Sequence, residues 1–314
     1  MINYINSLSE GMHVNDVYLC KAYSILLNKN GKEYGNLVMQ DKTGTIEAKI
    51  WNLGAAIENV TAPAYVYIDA DVTSFNGANQ LSIRRLRTAS ENEYIKADYL
   101  PSTERDIAEM EQELLAFTDS VKDEHLHQLL RYYFGNRQVM RDFLDHSAAK
   151  SVHHAFVGGL AEHTLSVTAM CDKAAEHYPY LNRDLLITGA LLHDIGKIRE
   201  LSLYPENDYT DEGQLLGHIT IGAQMVSDTI AKMPDFPKVT RSQLLHLILS
   251  HHGEYEFGSP KKPAIMEAFV LSFMDNMDAK VETLRELIDS KAPVNKDGWL
   301  GYSKLLDSNV RKTM

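Results

Sequence analysis

The hydrophobic period of the chain changes near residue 104, and this change constrains the fold more than any other feature. Upstream, apolar and polar residues alternate: in TIEAKIW (45–51), Ile46, Ala48 and Ile50 fall on one face. Downstream, apolar residues recur at helical spacing through stretches such as RDLLITGALLHDIGKIREL and PAIMEAFVLSFMDNMDAKVETLRELIDS. Because alternation marks strands and helical spacing marks helices, we predict an all-β domain followed by an all-α domain.

The all-β part, residues 1–90, predicts five short strands separated by turn sequences. NKNGKEYG, DKTG and NGAN carry the glycines and asparagines that tight turns favour. NLGAAIENV (52–60) predicts one short helix between the third and fourth strands. Five strands of this length favour a small closed barrel of the OB type, and alternation puts Lys49 and Trp51 on the same face.

The net charge of -12 is concentrated in the middle of the 314-residue chain. Residues 91–125 hold 3 basic and 11 acidic residues, whereas residues 1–90 hold 8 of each. We interpret 91–125 as an acidic helical linker between a barrel domain (1–90) and a helical domain (126–314). A negative net charge disfavours a simple electrostatic nucleic-acid binder, but the barrel itself is neutral.

The two cysteines, Cys20 and Cys171, are too few for a disulfide framework, which predicts a cytoplasmic protein. No run of about 18 apolar residues occurs, so we expect no membrane span. The N-terminal residues also lack the basic-then-apolar layout of a signal peptide.

The histidines predict metal chemistry, because twelve of the thirteen lie between residues 125 and 252. The strongest local feature is the pair His193–Asp194, near the end of an apolar predicted helix. Burying an imidazole and a carboxylate there is costly unless a metal or other partners satisfy them. Both groups suit a divalent cation. Further candidates follow on other predicted helices: His163, His218, His251, His252 and Asp275.

This set of ligands is larger than one cation needs, so we predict two cations bridged by Asp194. The ordered set carries the prediction, because an isolated histidine is more often a hydrogen-bonded core or surface residue. No H-E-x-x-H motif supports a zincin, and no G-x-x-x-x-G-K-[ST] loop supports a P-loop nucleotide hydrolase.

The order His, His-Asp, His, His-His, Asp resembles that of the HD superfamily of metal-dependent phosphohydrolases, over roughly residues 150–280. SVHHAFVGGLAEHTLSV, LLHDIGKIREL and NKNGKEYGNLVMQDKTGTIEAKIW further resemble the YhaM-type 3′→5′ exoribonucleases, which join an OB-fold domain to an HD domain. The resemblance implies stepwise hydrolysis of single-stranded RNA from its 3′ end to mononucleotides, with some members also acting on DNA. It implies manganese or cobalt as the cation, while the ligand types also suit iron or zinc.

The resemblance also assigns metal ligands. One metal would be held by His163, His193, Asp194 and Asp275, and the second by Asp194, His218 and His251, with His252 as an alternative or additional ligand. Asp275 is preferred to Asp278 because two apolar residues precede it, although Asp278 lies one helical turn further and can face the same site.

Other residues receive roles at the reaction centre. Lys197 lies one turn after His193 and would contact a phosphate as a catalytic residue beside Asp194; a solvated lysine at a helix end is the alternative. His153 and His154 would line the substrate entrance.

The predicted barrel would hold the single strand through aromatic stacking and a basic groove. For Trp51 the alternative is packing at the barrel edge, and for the basic residues it is an ordinary solvated position. The candidate contacts with the nucleic-acid strand are Tyr23, Lys49, Trp51, Phe75, Arg85 and Arg87.

We also predict that the protein is a homo-oligomer.

Two other classes of function stay open on the sequence. An HD-domain nucleotide phosphohydrolase or cyclic-dinucleotide phosphodiesterase would keep the metal site and change the substrate. HHGEYEFGSPKKP lacks the G-Y-P signature of the second of these enzymes. A non-catalytic nucleic-acid-binding protein is disfavoured because the ligand set is intact.

Overall fold

The computed structural model describes residues 3–75, 77–150, 154–290, 297–304 and 306–313. The chain forms two compact units. The first comprises Met1–Ser102 with Tyr204–Glu206, and the second comprises Thr103–Leu203 with Asn207–Met314.

The first unit is a closed five-stranded barrel. The strands are β1 His13–Leu27, β2 Glu33–Asp41, β3 Gly44–Ile50, β4 Ala64–Phe75 and β5 Ala78–Thr88. Around the barrel, neighbouring strands follow the order β1-β2-β3-β5-β4. β3 and β5 are parallel, and the other neighbouring strands are antiparallel. This is the predicted OB-type architecture.

The alternation of β3 builds the barrel core as predicted. Ile46, Ala48 and Ile50 are buried in it, while Glu47 and Trp51 are exposed. The inward residues pack with apolar side chains from every other strand of the barrel. The outward face of β3 is therefore free to carry polar and aromatic side chains.

The predicted helix over residues 52–60 is wrong, because these residues form turns and pair with the edge of β5. The backbone N–H of Glu58 donates to the carbonyl of Leu86 at 2.8 Å, and the N–H of Leu86 donates to Ala56 at 3.1 Å. These bonds satisfy backbone groups that a helix would have satisfied internally.

A β-bulge in β5 changes the side-chain pattern of SIRRLR. Asp69 on β4 faces Arg85, but the next residue, Ala70, faces Ile83, so Arg84 is the extra residue. Ile83 and Leu86 consequently both point into the core, and Arg84 points outward, where it forms an ion pair with Asp71.

The second unit is helical, as predicted, except for a hairpin near its C-terminus. No helix of the described residues is long and apolar enough to cross a membrane. The hairpin strands are β6 Trp299–Ser303 and β7 Ser308–Arg311. The helices are α1 Ile107–Ser120, α2 Glu124–Phe134, α3 Arg137–Asp145, α4 Gly159–His177, α5 Arg183–Leu192, α6 Lys197–Glu200, α7 Asp211–Ile230, α8 Lys238–Ser250 and α9 Met266–Ser290.

The acidic segment 91–125 is divided between the two units at Ser102 and Thr103 instead of forming a separate linker. Its helix α1 begins after Asp106, whose side chain accepts hydrogen bonds from two backbone N–H groups of the first turn. Met110 and Leu114 are fully buried in the core of the helical unit. The acidic residues of α1 therefore lie on the outer face of a packed helix.

The apolar helix α5 lies at the centre of the helical unit. Every residue from Leu185 to Leu192 is buried. Gly189 permits a close approach to α8, since a Cβ atom there would lie 2.3 Å from Cδ2 of Leu247. Because α5 is enclosed, the residues that follow it, His193 and Asp194, enter the interior of the protein.

Candidate metal centre and nucleic-acid interface

Five helices bring the predicted metal ligands together. His193 and Asp194 directly follow α5, and their exposed fractions are 0% and 2%. The other ligands come from α4, α8 and α9, which pack on α5, and from α7, which packs on α8. These residues are His163 on α4, His218 on α7, His251 and His252 after α8, and Asp275 on α9.

Asp194 lies between two pairs of imidazole nitrogens. Its Oδ2 atom is 3.3 Å from Nε2 of His193 and 3.5 Å from Nε2 of His163. Its Oδ1 atom is 3.4 Å from Nε2 of His218 and 3.6 Å from Nε2 of His251. Two ligand atoms that share one cation at about 2.0–2.2 Å lie roughly 3–3.6 Å apart, so these separations match a metal centre.

A hydrogen bond at Nδ1 orients each of the five histidine rings. An acceptor at Nδ1 fixes the proton there and leaves the lone pair of Nε2 free for a cation. The acceptors are the carbonyl of Ala190 for His193 (2.7 Å), Ile248 for His251 (2.8 Å) and Phe257 for His252 (2.8 Å), and the carboxylates of Glu200 for His218 (3.0 Å) and Asp278 for His163 (2.7 Å).

Within the described part of the chain, three buried atoms of this centre have no hydrogen-bond partner: Oδ1 of Asp194, Nε2 of His218 and Nε2 of His251. Buried polar atoms are normally satisfied, so these three atoms fit a cation that would bind them. Two groups of ligand atoms each lie within 4.8 Å of one another, namely His218 with His251 and His252, and His163 with His193 and Asp275.

Lys197 is a buried residue of the centre, so the alternative of a solvated lysine is wrong. It is 8% exposed, and its Nζ lies 2.6 Å from Oδ2 of Asp194. Burial acts to lower the pKa of Lys197, but three nearby carboxylates, Asp194 foremost and then Asp275 and Glu200, together raise it. Burial likewise acts to raise the pKa of Asp194, yet Lys197 and His193 hold it well below its ordinary value. The two groups thus form a charged pair.

Glu200 was not among the predicted residues. It is 8% exposed and accepts two hydrogen bonds from His218, from the backbone N–H at 2.9 Å and from Nδ1 at 3.0 Å. Gly217, with a φ of 71°, interrupts α7 just before His218 and turns the following residues toward Glu200. A signal exists in the sequence, since Asp194, Lys197 and Glu200 recur every third residue.

Asp278 holds His163 and also reaches His154. Its Oδ2 lies 3.0 Å from Nε2 of His154, and its Oδ1 accepts a hydrogen bond from Ser166. His154 is only 3% exposed, so it does not line an open entrance as predicted. His153, the second residue predicted there, lies outside the described residues.

A cavity of about 420 Å³ opens beside the metal centre. It begins at residues of the centre and continues along one face of α9. The lining residues are Ala148, His163, Lys197, His252, Phe257, Asp275, Asn276, Ala279, Lys280, Thr283 and Leu306.

The barrel carries an aromatic pair, the half-buried Tyr34 on β2 and the exposed Trp51 directly after β3, which we call the Tyr34–Trp51 platform. The two rings stack at a centroid distance of 5.3 Å, and Trp51 is 51% exposed. Nζ of Lys49 lies 5.8 Å from the ring centre of Tyr34. Tyr34 was not predicted, although the register pairs Gly35 with Ile50 and so sets Tyr34 opposite Trp51.

The other predicted barrel residues have different surroundings. Arg87 is held by Glu93 through two hydrogen bonds of 2.8 and 2.6 Å. Tyr23 is half-buried against the core. Phe75 and Arg85 are exposed on β4 and β5, but the groove beside Trp51 is lined by Arg84 and not by either of them.

A family model and several curated proteins match this chain. The HD domain family model matches residues 160–280. The 3′-5′ exoribonuclease YhaM of Bacillus licheniformis is 37% identical, covering 90% of this chain and 90% of the relative. The YhaM of Bacillus subtilis strain 168 is 36% identical with the same coverage. Among solved structures, the second OB-fold domain of replication protein A from Methanococcus maripaludis covers 29% of this chain and 97% of its own, with 18% identity and a TM-score of 0.24.

An OB-type barrel followed by a helical domain with this histidine–aspartate centre defines a two-domain HD protein. Within that class, the chain belongs to the family of the YhaM 3′-5′ exoribonucleases, because curated members match nearly its whole length. The resemblance read from the motifs is thus confirmed, as is the order of the two domains.

Proposed function

We propose that the protein is a metal-dependent 3′→5′ exoribonuclease that hydrolyses single-stranded RNA to mononucleotides. One observation carries the proposal: each oxygen of the buried Asp194 faces a pair of imidazole nitrogens, and among the described residues neither Oδ1 nor the two nitrogens that it faces has a hydrogen-bond partner. The names of the curated relatives support the same activity and direction.

The residues of the centre would hold two divalent cations, with Asp194 between them. His163, His193 and Asp275 would complete one site, and His218, His251 and His252 the other. The nitrogen and oxygen ligands suit manganese or cobalt. Bound cations of this kind neutralise phosphate charge and lower the pKa of water.

The chain's own residues prepare the centre for a phosphodiester. Glu200 and Asp278 hold the rings of His218 and His163 through Nδ1, which would leave Nε2 of each ring available to a cation. Lys197 offers a buried positive charge beside Asp194 in the cavity, where it would bind an anionic phosphate oxygen. In the hydrolysis, water adds to phosphorus and the P–O3′ bond breaks. The released nucleotide keeps the 5′-phosphate and the shortened strand keeps a 3′-hydroxyl.

The barrel would bind the bases of the strand at the Tyr34–Trp51 platform. Stacking of bases on exposed aromatic rings is tolerant of sequence, and Lys49 adds a positive charge for the phosphates. DNA offers the same bases and phosphates, so we propose single-stranded DNA as a second substrate. The two buried free cysteines, Cys20 and Cys171, support a cytoplasmic location.

We further propose that the protein is a homo-oligomer assembled through α9. An exposed apolar stripe runs along α9 and comprises Met266, Phe269, Phe273, Met277 and Val281. The Phe269 and Phe273 rings in the stripe stack at a centroid distance of 6.5 Å. Contiguous apolar stripes are rare on soluble monomers, and a stripe of this kind can pair with its own copy across a two-fold axis.

Light scattering tests this assembly. It should report a multimer that Phe273→Glu dissociates, while Val239→Glu on α8 leaves it intact. A monomeric wild type would contradict this assembly.

An assay with end-labelled RNA tests the activity. In the presence of Mn²⁺, 3′-labelled RNA should release labelled mononucleotide at once, and 5′-labelled RNA should shorten one nucleotide at a time. Cleavage of free nucleotides or cyclic dinucleotides alone would favour a different HD phosphohydrolase. Tight binding without cleavage would favour a non-catalytic binding protein.

A further inference from the structure

The cavity beside the metal centre begins at three of the proposed ligands and extends beyond them, where it is lined by residues with no role at the cations. Asn276, Ala279, Lys280 and Thr283 recur at spacings of three and four residues, so they form one face of α9. At about 420 Å³ the cavity lies at the small end of the range of about 300–1,000 Å³ that ligand pockets occupy. It therefore has room for one nucleotide rather than a length of strand.

The lining combines flat apolar surface with a few polar groups. Phe257, Ala279 and Leu306 supply apolar surface, while Asn276 and Lys280 supply an amide and an ammonium group. A nucleoside has the complementary chemistry, because its base has two apolar faces and polar edges and its sugar carries hydroxyls. An acyl or alkyl ligand would leave the amide and ammonium groups without partners.

Phe257 contributes a phenyl ring to this cavity, and its backbone is hydrogen-bonded to a histidine of the metal centre. Its carbonyl accepts the hydrogen bond from Nδ1 of His252 at 2.8 Å. Its side chain is nevertheless 60% exposed, so the ring is not used to fill the protein core. Because the backbone of Phe257 is held by a hydrogen bond and its ring is exposed, the ring is suited to stacking against a planar ligand.

We propose that this cavity binds the 3′-terminal nucleoside of the strand, with its base stacked on Phe257. The inference rests on the proposed exoribonuclease activity and adds the residue that holds the departing nucleotide. Stacking on Phe257 aligns the terminal phosphodiester with the metal centre and accepts any of the bases, because every base has a π-face. Lys280 and Asn276 lie on the α9 wall within reach of the same nucleotide.

The test compares Phe257→Ala with Tyr255→Ala. Tyr255 belongs to the same 3₁₀ turn and is 62% exposed, but it does not line the cavity. Each variant is assayed on two RNA strands that differ only in whether the 3′-terminal residue has a base or is abasic. The wild type and Tyr255→Ala should cleave the abasic end about 5- to 150-fold less efficiently, the range expected for loss of one stacked base. Phe257→Ala should cleave both ends at the same low efficiency.

Rescue and binding measurements separate this inference from the proposed activity. Phe257→Trp should restore the preference for a terminal base, and all variants should retain the same metal content. Discrimination retained by Phe257→Ala would overturn the inference while leaving the exonuclease proposal standing. If the wild type releases no nucleotide, titration with adenosine 5′-monophosphate still decides: binding lost only in Phe257→Ala supports the cavity, and equal binding by both variants overturns it.

Discussion

The barrel and the helical unit place their functional side chains in opposite environments. Trp51 on the barrel is half exposed, whereas His193, Asp194 and His251 are at most 2% exposed. A surface aromatic has few neighbours, so its loss removes only its own contact with a ligand. A buried charge depends on its partners, and removing one member leaves the others unsatisfied. Single substitutions on the barrel should therefore weaken RNA binding only in part, whereas a single substitution in the metal centre should abolish most of the turnover.

The largest effect is expected for Asp194→Asn. The substitution removes the negative charge that faces four imidazoles and Lys197, so turnover should fall by about 1,000-fold or more. RNA binding should change by less than about threefold, because the barrel platform is untouched. Initial rates with Mn²⁺ and filter binding of labelled RNA measure the two quantities.

The matched control for that prediction is Asp228→Asn, the same chemical change on an exposed position of α7. It should leave both quantities unchanged. Near-normal turnover by the metal-loaded Asp194→Asn protein would show that the centre does not depend on this carboxylate, and the contrast between the two regions would fail.

A smaller effect is expected for Glu200→Ala, which leaves every ligand in place but frees the ring of His218. Loss of a carboxylate that orients a metal-binding histidine typically lowers metal affinity by about 10- to 100-fold. Calorimetric titration of the metal-free protein with Mn²⁺ should show one weakened site and one preserved site.

Two variants control this measurement. Glu200→Gln keeps an oxygen acceptor for Nδ1 and should lose less affinity than Glu200→Ala. Glu212→Ala removes a carboxylate that pairs with Arg199 at the surface and should have no effect. Unchanged Mn²⁺ binding by Glu200→Ala would mean that His218 is oriented by its helix alone.

On the barrel, Trp51→Ala should weaken RNA binding without disabling chemistry. The loss of one stacking residue corresponds to about 1–3 kcal/mol of binding free energy. kcat at saturating RNA should stay near that of the wild type. Fluorescence quenching on RNA addition reports the contact directly, and Trp299→Ala, which removes the other tryptophan, should leave both the quenching and the affinity intact.

The smallest effect is expected for Arg87→Ala. Its guanidinium is already bound by Glu93 at the surface, and solvent screens such exposed pairs so that they contribute little. RNA affinity should change by less than about threefold, and its dependence on salt concentration should keep the same slope. A loss as large as that of Trp51→Ala would show that Arg87 leaves Glu93 to bind the strand.

Local sequence patterns predicted the inward residues of the barrel strands and the candidate metal ligands better than they predicted the connecting segment 52–60 and the C-terminal hairpin. Ile46, Ala48 and Ile50 point inward because alternation is a property of the strand itself. The segment 52–60 has a weak local preference, and its pairing with Leu86 overrode the predicted helix. The hairpin of β6 and β7 was missed because the prediction extended the helical period to the end of the chain.

The sequence by itself determined which residues are available as ligands, because residue chemistry and helical spacing are both local properties. Only the tertiary structure decided how those ligands are held. His163 is oriented by Asp278, 115 residues away, and His218 by Glu200 across the break at Gly217. Tyr34 likewise joins the proposed binding platform only through its stacking on Trp51, which lies far from it in the sequence. Such partners are set by the packing of elements distant in the chain, and no local pattern specifies that packing.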